Sequence, residues 1–328
     1  MKYAQILLGI VLCILLEFAV FRINHAYHIF RPFFVTTIST SGANEVHEGS
    51  GNFTNPLLEC QGLGDSDTST QLNISKDSLE KFIDGAIAAH GLETMSVYVR
   101  DLNNGPRIGV NEKEEFIGGS LLKVPLLISV LKMADTDPSI LKKKILYATS
   151  TVPNNQYFAP SKQLEAGKTY TVDELLNYMT EYSDNNAAYL LAHELDAASF
   201  DSVFNALGFG DPDPDKPFPV NTLTYSAFFR ILFNASYLSR TNSEKALSLL
   251  SKAEFDRGIS AGLPKGVVVS HKFGIRSDGD VNQLHDCGIV YYPGHPYLLC
   301  IMSRGGTFDA LAQSIAEVSK FVYDQVSG

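Results

Sequence analysis

The chain is poor in basic charge and in cysteine, and it has no internal repeat. Its formal net charge of -10 excludes nucleic acid and anionic membrane surfaces as partners, because both need a basic face. Four cysteines are present, at positions 13, 60, 287 and 300. They form no Cys-x-x-Cys pair, and no histidines stand at zinc-ligand spacing, so neither a metal nor another cofactor is expected. Cys287 and Cys300 fall on two apolar runs joined by Pro293-Gly294-His295-Pro296. Pairing around that turn sets Cys300 opposite Ile289, which predicts free, buried thiols. Disorder is excluded as well, since 45% of the residues are hydrophobic and only 19% are charged.

What is present begins with an apolar run from Tyr3 to Phe21, broken only by Gln5 and Glu17 among its larger polar residues. This is close to the roughly 20 residues that a helix needs to cross a bilayer. No small-x-small site follows Leu16, and Leu12 before Cys13 argues against lipoprotein processing. Residues 1–33 therefore read as an uncleaved membrane anchor. Lys2 on one side and Arg22 with Arg31 on the other leave its orientation open by charge. Residues 34–74 are rich in Ser, Thr, Gly, Asn and Asp and read as a flexible stalk. Residues 75–328 read as the folded domain.

Within that domain, Leu79 to Ala89 has helical spacing, Ser96 to Asp101 alternates as a strand, and Asn103-Asn104-Gly105-Pro106 turns the chain back through Arg107 to Val110. Helical patterns occupy Leu121 to Met133, Val172 to Leu195, Tyr225 to Leu238 and Ser243 to Phe255, with no convincing strand from Gly119 to Lys265. Three β-type runs follow, Val267 to Gly274, Leu284 to Tyr292 and Tyr297 to Ser303, and an amphipathic helix from Asp309 to Val326 closes the chain. The fold class is α/β of the α+β kind: a five-stranded antiparallel sheet shared by the two ends of the domain, flanked by helices, with an all-helical subdomain inserted.

Three short motifs carry candidate chemistry. Gly118-Gly119-Ser120-Leu-Leu-Lys123 opens a helix and sets a hydroxyl and an amine three residues apart on one face. A serine hydroxyl becomes a nucleophile when a base removes its proton, and a desolvated lysine can be that base. The plainer reading makes Ser120 a helix cap and Lys123 a solvated side chain. Ser183-Asp184-Asn185 follows a helix; Ser183 can relay a proton and Asn185 can offer an amide to a carbonyl, although such residues also make ordinary turns. Lys272-Phe273-Gly274 lies on a late strand, where a lysine adds positive charge and a glycine leaves room along the strand edge.

Taken in this order, the motifs resemble the signature set of class A β-lactamases and penicillin-binding proteins. Thr171-Val-Asp-Glu-Leu-Leu and Ala261-Gly-Leu-Pro264 are similar to those enzymes too, and the resemblance runs from Ser75 to Val326. It implies a serine hydrolase that forms an acyl-enzyme. Ser120 would be the nucleophile, Lys123 and Ser183 the proton carriers, and Asn185, Lys272 and Gly274 substrate contacts. A second oxyanion donor would come from near Ser303. The implied substrate is a β-lactam or a peptidoglycan stem peptide. The implied setting is a single-pass membrane protein, acting as a monomer with its catalytic domain outside the cytoplasm.

The sequence departs from that pattern twice. The stretch Leu207 to Pro219 has no glutamate where class A enzymes hold their hydrolytic water; its carboxylates are Asp211, Asp213 and Asp215, which also suit a rigid, proline-spaced turn. Phe273 stands in place of a Thr or Ser that binds the substrate carboxylate, and Arg276 on the same strand is a candidate replacement. Acylation is thus expected to be easier than hydrolysis. A D,D-peptidase is the neighbouring reading, and a non-catalytic binding protein on the same fold the more distant one.

Overall fold

A computed structural model describes residues 52–55, 74–103, 105–150, 152, 156–194, 202–203, 205–206 and 218–328. Helix α1 (Lys76–His90) starts where the Ser75 hydroxyl accepts from the Ser78 amide and stops at Gly91 in the left-handed region. Its apolar stripe, Leu79, Ile83 and Ala86, is buried. Strands β1 (Thr94–Asp101) and β2 (Arg107–Val110) follow as an antiparallel hairpin.

The middle of the chain is mainly helical: α2 (Lys123–Thr136), α3 (Val172–Glu181), α4 (Asn185–Glu194), α5 (Thr222–Phe233) and α6 (Arg240–Leu250). Helix α2 is apolar on nearly all sides and is the buried centre of this region, as an all-round hydrophobic pattern requires. A full capping box between Thr171 and Glu174 starts α3. Short strands that the periodicity does not reveal also occur here. β3 (Phe116–Ile117) pairs with β6 (Pro219–Val220), and β4 (Lys144–Leu146) pairs with β5 (Thr169–Thr171). They are two or three residues long, too short to alternate visibly.

Strands β7 (Val269–Asp278), β8 (Val281–Val290) and β9 (Tyr297–Arg304) complete the main sheet, and α7 (Phe308–Ser327) ends the chain. The five-stranded sheet has the order β2-β1-β9-β8-β7 with every neighbour antiparallel. One apolar layer joins it to the helical region through residues such as Leu127, Leu175, Phe229 and Leu247. A second layer joins its other face to α1 and α7 through Ile83, Val97, Ile301 and Ile315. The α+β class and the split of the sheet between the two ends of the domain are as the sequence predicts. β7, contributed late in the chain, is an outer strand.

The expected free thiols at Cys287 and Cys300 are corrected by the structure, which has a disulfide between them. The two residues are direct partners in the β8–β9 ladder, with Cα atoms 3.9 Å apart. The turn is Tyr292-Pro293-Gly294-His295, in which the His295 amide donates to the Tyr292 carbonyl and Gly294 has φ 78°. Pro at the second place and a positive-φ glycine at the third suit a type II turn. This turn is centred one residue earlier than Pro293 to Pro296, and so the partner of Cys300 moves by two, from Ile289 to Cys287.

The candidate anchor and most of the candidate stalk lie outside the described residues. Among the described residues no helix is long and apolar enough to cross a membrane. Residues 52–55, inside the segment expected to be a free stalk, are held against the domain. The Glu244 carboxylate of α6 accepts from the amides of Phe53 and Thr54 and from the Thr54 hydroxyl, and the Asn55 amide donates to the Phe233 carbonyl.

Candidate active site

Ser120 lies in a single 3₁₀ turn, Gly119–Leu122, that runs directly into α2. Its hydroxyl caps no backbone amide of either element, so the capping reading fails. Gly119 is in the left-handed region at φ 54°, and a Cβ there would stand 2.5 Å from the Ile275 carbonyl oxygen of β7. Gly274 is equally tight, because a Cβ would meet the Gly118 oxygen at 2.4 Å. The two glycines bring the outer strand β7 against the turn that carries Ser120.

One turn along, Lys123 is buried and its Nζ lies 3.1 Å from Ser120 Oγ. The same nitrogen reaches the Ser183 carbonyl, Ser183 Oγ at 3.1 Å and Asn185 Oδ1 at 2.8 Å. Burial pulls its pKa down to about 7, against the opposing pull of the Asp184 carboxylate. The carbonyl and the amide oxygen can only accept, and they hold two of its hydrogens. In the neutral amine, the lone pair is then free to take the Ser120 proton.

Ser183 joins α3 to α4 with φ 53°, a strained conformation for a residue with a side chain, and it is fully buried. Asp184 holds the corner. Its Oδ1 accepts from the Ala187 amide at the start of α4 and its Oδ2 from the Leu164 amide. Lys272, buried on β7, donates to Ser183 Oγ at 2.9 Å and to the Phe273 carbonyl at 2.9 Å. Burial, then repulsion from Lys123, holds its pKa well below the ordinary ammonium range, while Asp286 opposes both. When both lysines donate to Ser183 Oγ they occupy its acceptor positions, which leaves its O–H to point into the site.

Ser120, Lys123, Ser183, Asn185, Lys272 and Gly274 thus converge. Arg276 shares the Lys272 and Gly274 face of β7 by the two-residue alternation of a strand, and it is exposed. Ser303 does not join them. It sits on β9, separated from β7 by β8, and its hydroxyl is spent on the Leu284 carbonyl at 2.8 Å. The backbone that meets the nucleophile turn belongs instead to Ile275, the residue following Lys-Phe-Gly. The motif itself was the available signal for it. Two further contributors carry no sequence signal: Gln156, whose side chain donates to the Ser183 carbonyl at 3.0 Å, and Asp286.

Phe273 is stacked on Phe255 at 4.2 Å between ring centroids, and Lys272 Nζ lies over its ring, 4.1 Å from the centroid. The expected carboxylates Asp211, Asp213 and Asp215 lie outside the described residues. Among the described residues no cluster of three or more His, Cys, Asp or Glu is arranged to hold a metal.

A serine and two buried lysines thus meet at a sheet edge, beside a mainly helical region. The profile of the beta-lactamase enzyme family matches residues 78–326, and the chain belongs to that family. A beta-lactamase of Bacteroides uniformis is 24% identical over 279 residues, 77% of this chain and 92% of that protein. The solved structure of a beta lactamase from Xanthomonas campestris has the same fold at a TM-score of 0.66 and 23% identity, covering 78% of this chain and 99% of that one. PBP-A has the fold at a TM-score of 0.62 and 21% identity, over 75% of this chain and 95% of its own, and a variant of it was solved as an acyl-enzyme complex with penicillin G.

Proposed function

We propose that the protein is a serine hydrolase that acylates Ser120 with a β-lactam or a related amide. The observation that carries the reading is the Lys123 amine, buried, drawn down to about 7 and 3.1 Å from Ser120 Oγ. Neutral Lys123 takes the hydroxyl proton as Ser120 Oγ bonds to the carbonyl carbon, whose π electrons move to oxygen. In this reading the backbone N–H groups of Ser120 and Ile275 donate to the developing charge. As the tetrahedral centre collapses, the carbon–nitrogen bond breaks. The proton passes from Lys123 through Ser183 to the leaving nitrogen, and the acyl-Ser120 ester remains.

Release of the ester separates a β-lactamase from a penicillin-binding D,D-peptidase. The absence of a glutamate from Leu207 to Pro219 favours a slow second step. The test is intact-mass spectrometry of the purified protein over time after penicillin. A mass increase on Ser120 that is lost in Ser120→Ala supports acylation, and its lifetime assigns the activity. No increase under any condition would leave a non-catalytic binding role. For location we propose a membrane-held domain outside the cytoplasm, monomeric, with residues 1–33 as anchor. The Cys287–Cys300 disulfide supports an oxidising compartment, and protease access in intact cells tests the side.

A further inference from the structure

A cavity opens beside the proton relay, and its chemistry differs from what a carboxylate-bearing substrate needs. It is a cleft of about 420 Å³ walled by Tyr157, Phe158, Tyr182, Phe255 and Phe273. The Phe273 wall lies 4.1 Å from Lys272 Nζ, which is itself 2.9 Å from Ser183 Oγ, so the cleft is next to the proton relay proposed above.

The charges around the rings are mainly acidic. Glu181, Glu254 and Asp256 line the cleft, and its one lining cation, Arg257, is paired with Asp309 at 2.8 Å. Three of the rings already carry cations, Lys272 over Phe273 at 4.1 Å, Arg257 over Phe158 at 5.2 Å and Lys162 over Tyr182 at 5.6 Å. Where a hydroxyl would receive a carboxylate there is the Phe273 ring, stacked on Phe255 and covering Lys272 Nζ. An anion placed here loses hydration, meets three carboxylates and finds no uncommitted cation among the lining residues; an aromatic or ammonium group finds ring faces and acids.

We infer that this cleft is the leaving-group subsite and that it selects substrates whose leaving group is aromatic or apolar and neutral or cationic, against those ending in a free carboxylate. The inference rests on Ser120 being acylated. It is tested on the full-length protein with three esters of one acyl group, whose leaving groups are 3-hydroxybenzoate, 3-hydroxybenzamide and 3-(aminomethyl)phenol. Each acylation rate is divided by the ester's own hydroxide rate. The amide and the amine are expected to react about tenfold or more faster than the carboxylate. Asp256→Asn and Glu254→Gln, both at exposed positions, are expected to shrink the amine-to-carboxylate ratio severalfold. Equal or faster reaction of the carboxylate ester, or a ratio that neither variant moves, would overturn the subsite while acyl-Ser120 still forms. If none of the three esters leaves its acyl mass on Ser120, the nucleophile reading falls together with the subsite.

Discussion

A lysine that changes charge near neutrality makes acylation depend on pH in a defined direction. Only neutral Lys123 can accept the Ser120 proton, and its pKa of about 7 comes from burial. The acylation rate should therefore rise about tenfold per pH unit below about 7 and level off above it, as followed by stopped-flow with a chromogenic substrate. Lys123→Ala should lower the plateau by about 10²- to 10⁴-fold and abolish that limb; an unchanged limb in the variant would assign it to another group. Lys272 belongs to the same balance, because its charged form repels that of Lys123. Ser120, Lys123, Ser183, Asn185 and Lys272 were legible in the sequence since each motif is a few residues long and its chemistry is local. Ser303 was misplaced for the converse reason. Which backbone faces the nucleophile depends on strand order, and strand order is a property of long-range pairing that no short motif carries. Once β7 is seen to be an outer strand, Ile275 takes that position.

At the scale of elements, the site is made by how closely β7 approaches the start of α2. Gly274→Ala inserts a methyl group 2.4 Å from the Gly118 oxygen and 2.9 Å from Leu121 Cγ. The strand must move outward, and a displacement of about 1 Å at reacting groups costs on the order of 100-fold in rate. Acylation should fall by that order while circular dichroism stays unchanged, and full activity in a folded variant would refute the close-approach argument. The β8–β9 hairpin is stapled by a disulfide that spans 13 positions. Replacing both cysteines by alanine should destabilise the domain by about 3 kcal/mol if the bond acts through loop entropy in the unfolded chain. For a domain of this size that is a loss of roughly 6–12 °C in Tm, and the unreduced parent should resist alkylation at both positions. The strands and long helices were legible from their periods. The register was not, because the apolar runs alternate equally well about either turn centre and only the Pro-Gly geometry distinguishes them. The paired strands at 144–146 and 169–171 are shorter than one cycle of recognisable alternation.

At the scale of the whole molecule, the sequence showed that both ends of the domain build one sheet, because strand-like patterns flank a helical stretch. It did not show where the chain before the domain is fastened. Residues 52–55 have no periodicity and read as part of a stalk, yet they dock on the domain, chiefly through one carboxylate. Glu244 accepts two amides and one hydroxyl from Phe53 and Thr54, Thr54 is buried, and the Phe53 ring meets Tyr291 edge to face at 5.3 Å. A contact across 190 positions leaves no local trace in the sequence. Charge-assisted hydrogen bonds contribute about 1.5–3 kcal/mol each in favourable cases, and the partly buried setting places the group at the lower end. Glu244→Ala in the full chain should therefore lower stability by about 2–4 kcal/mol, read as a drop in Tm, with Glu244→Gln intermediate because it keeps one acceptor oxygen. Acylation kinetics at 25 °C should not change, since Glu244 touches none of the groups around Ser120. The discriminating measurement is limited proteolysis of residues 50–60. Release of the segment predicts faster cleavage there in Glu244→Ala at a temperature where the domain is still folded. Equal cleavage in parent and variant would mean that the carboxylate stabilises α6 alone and that the segment is held by other contacts.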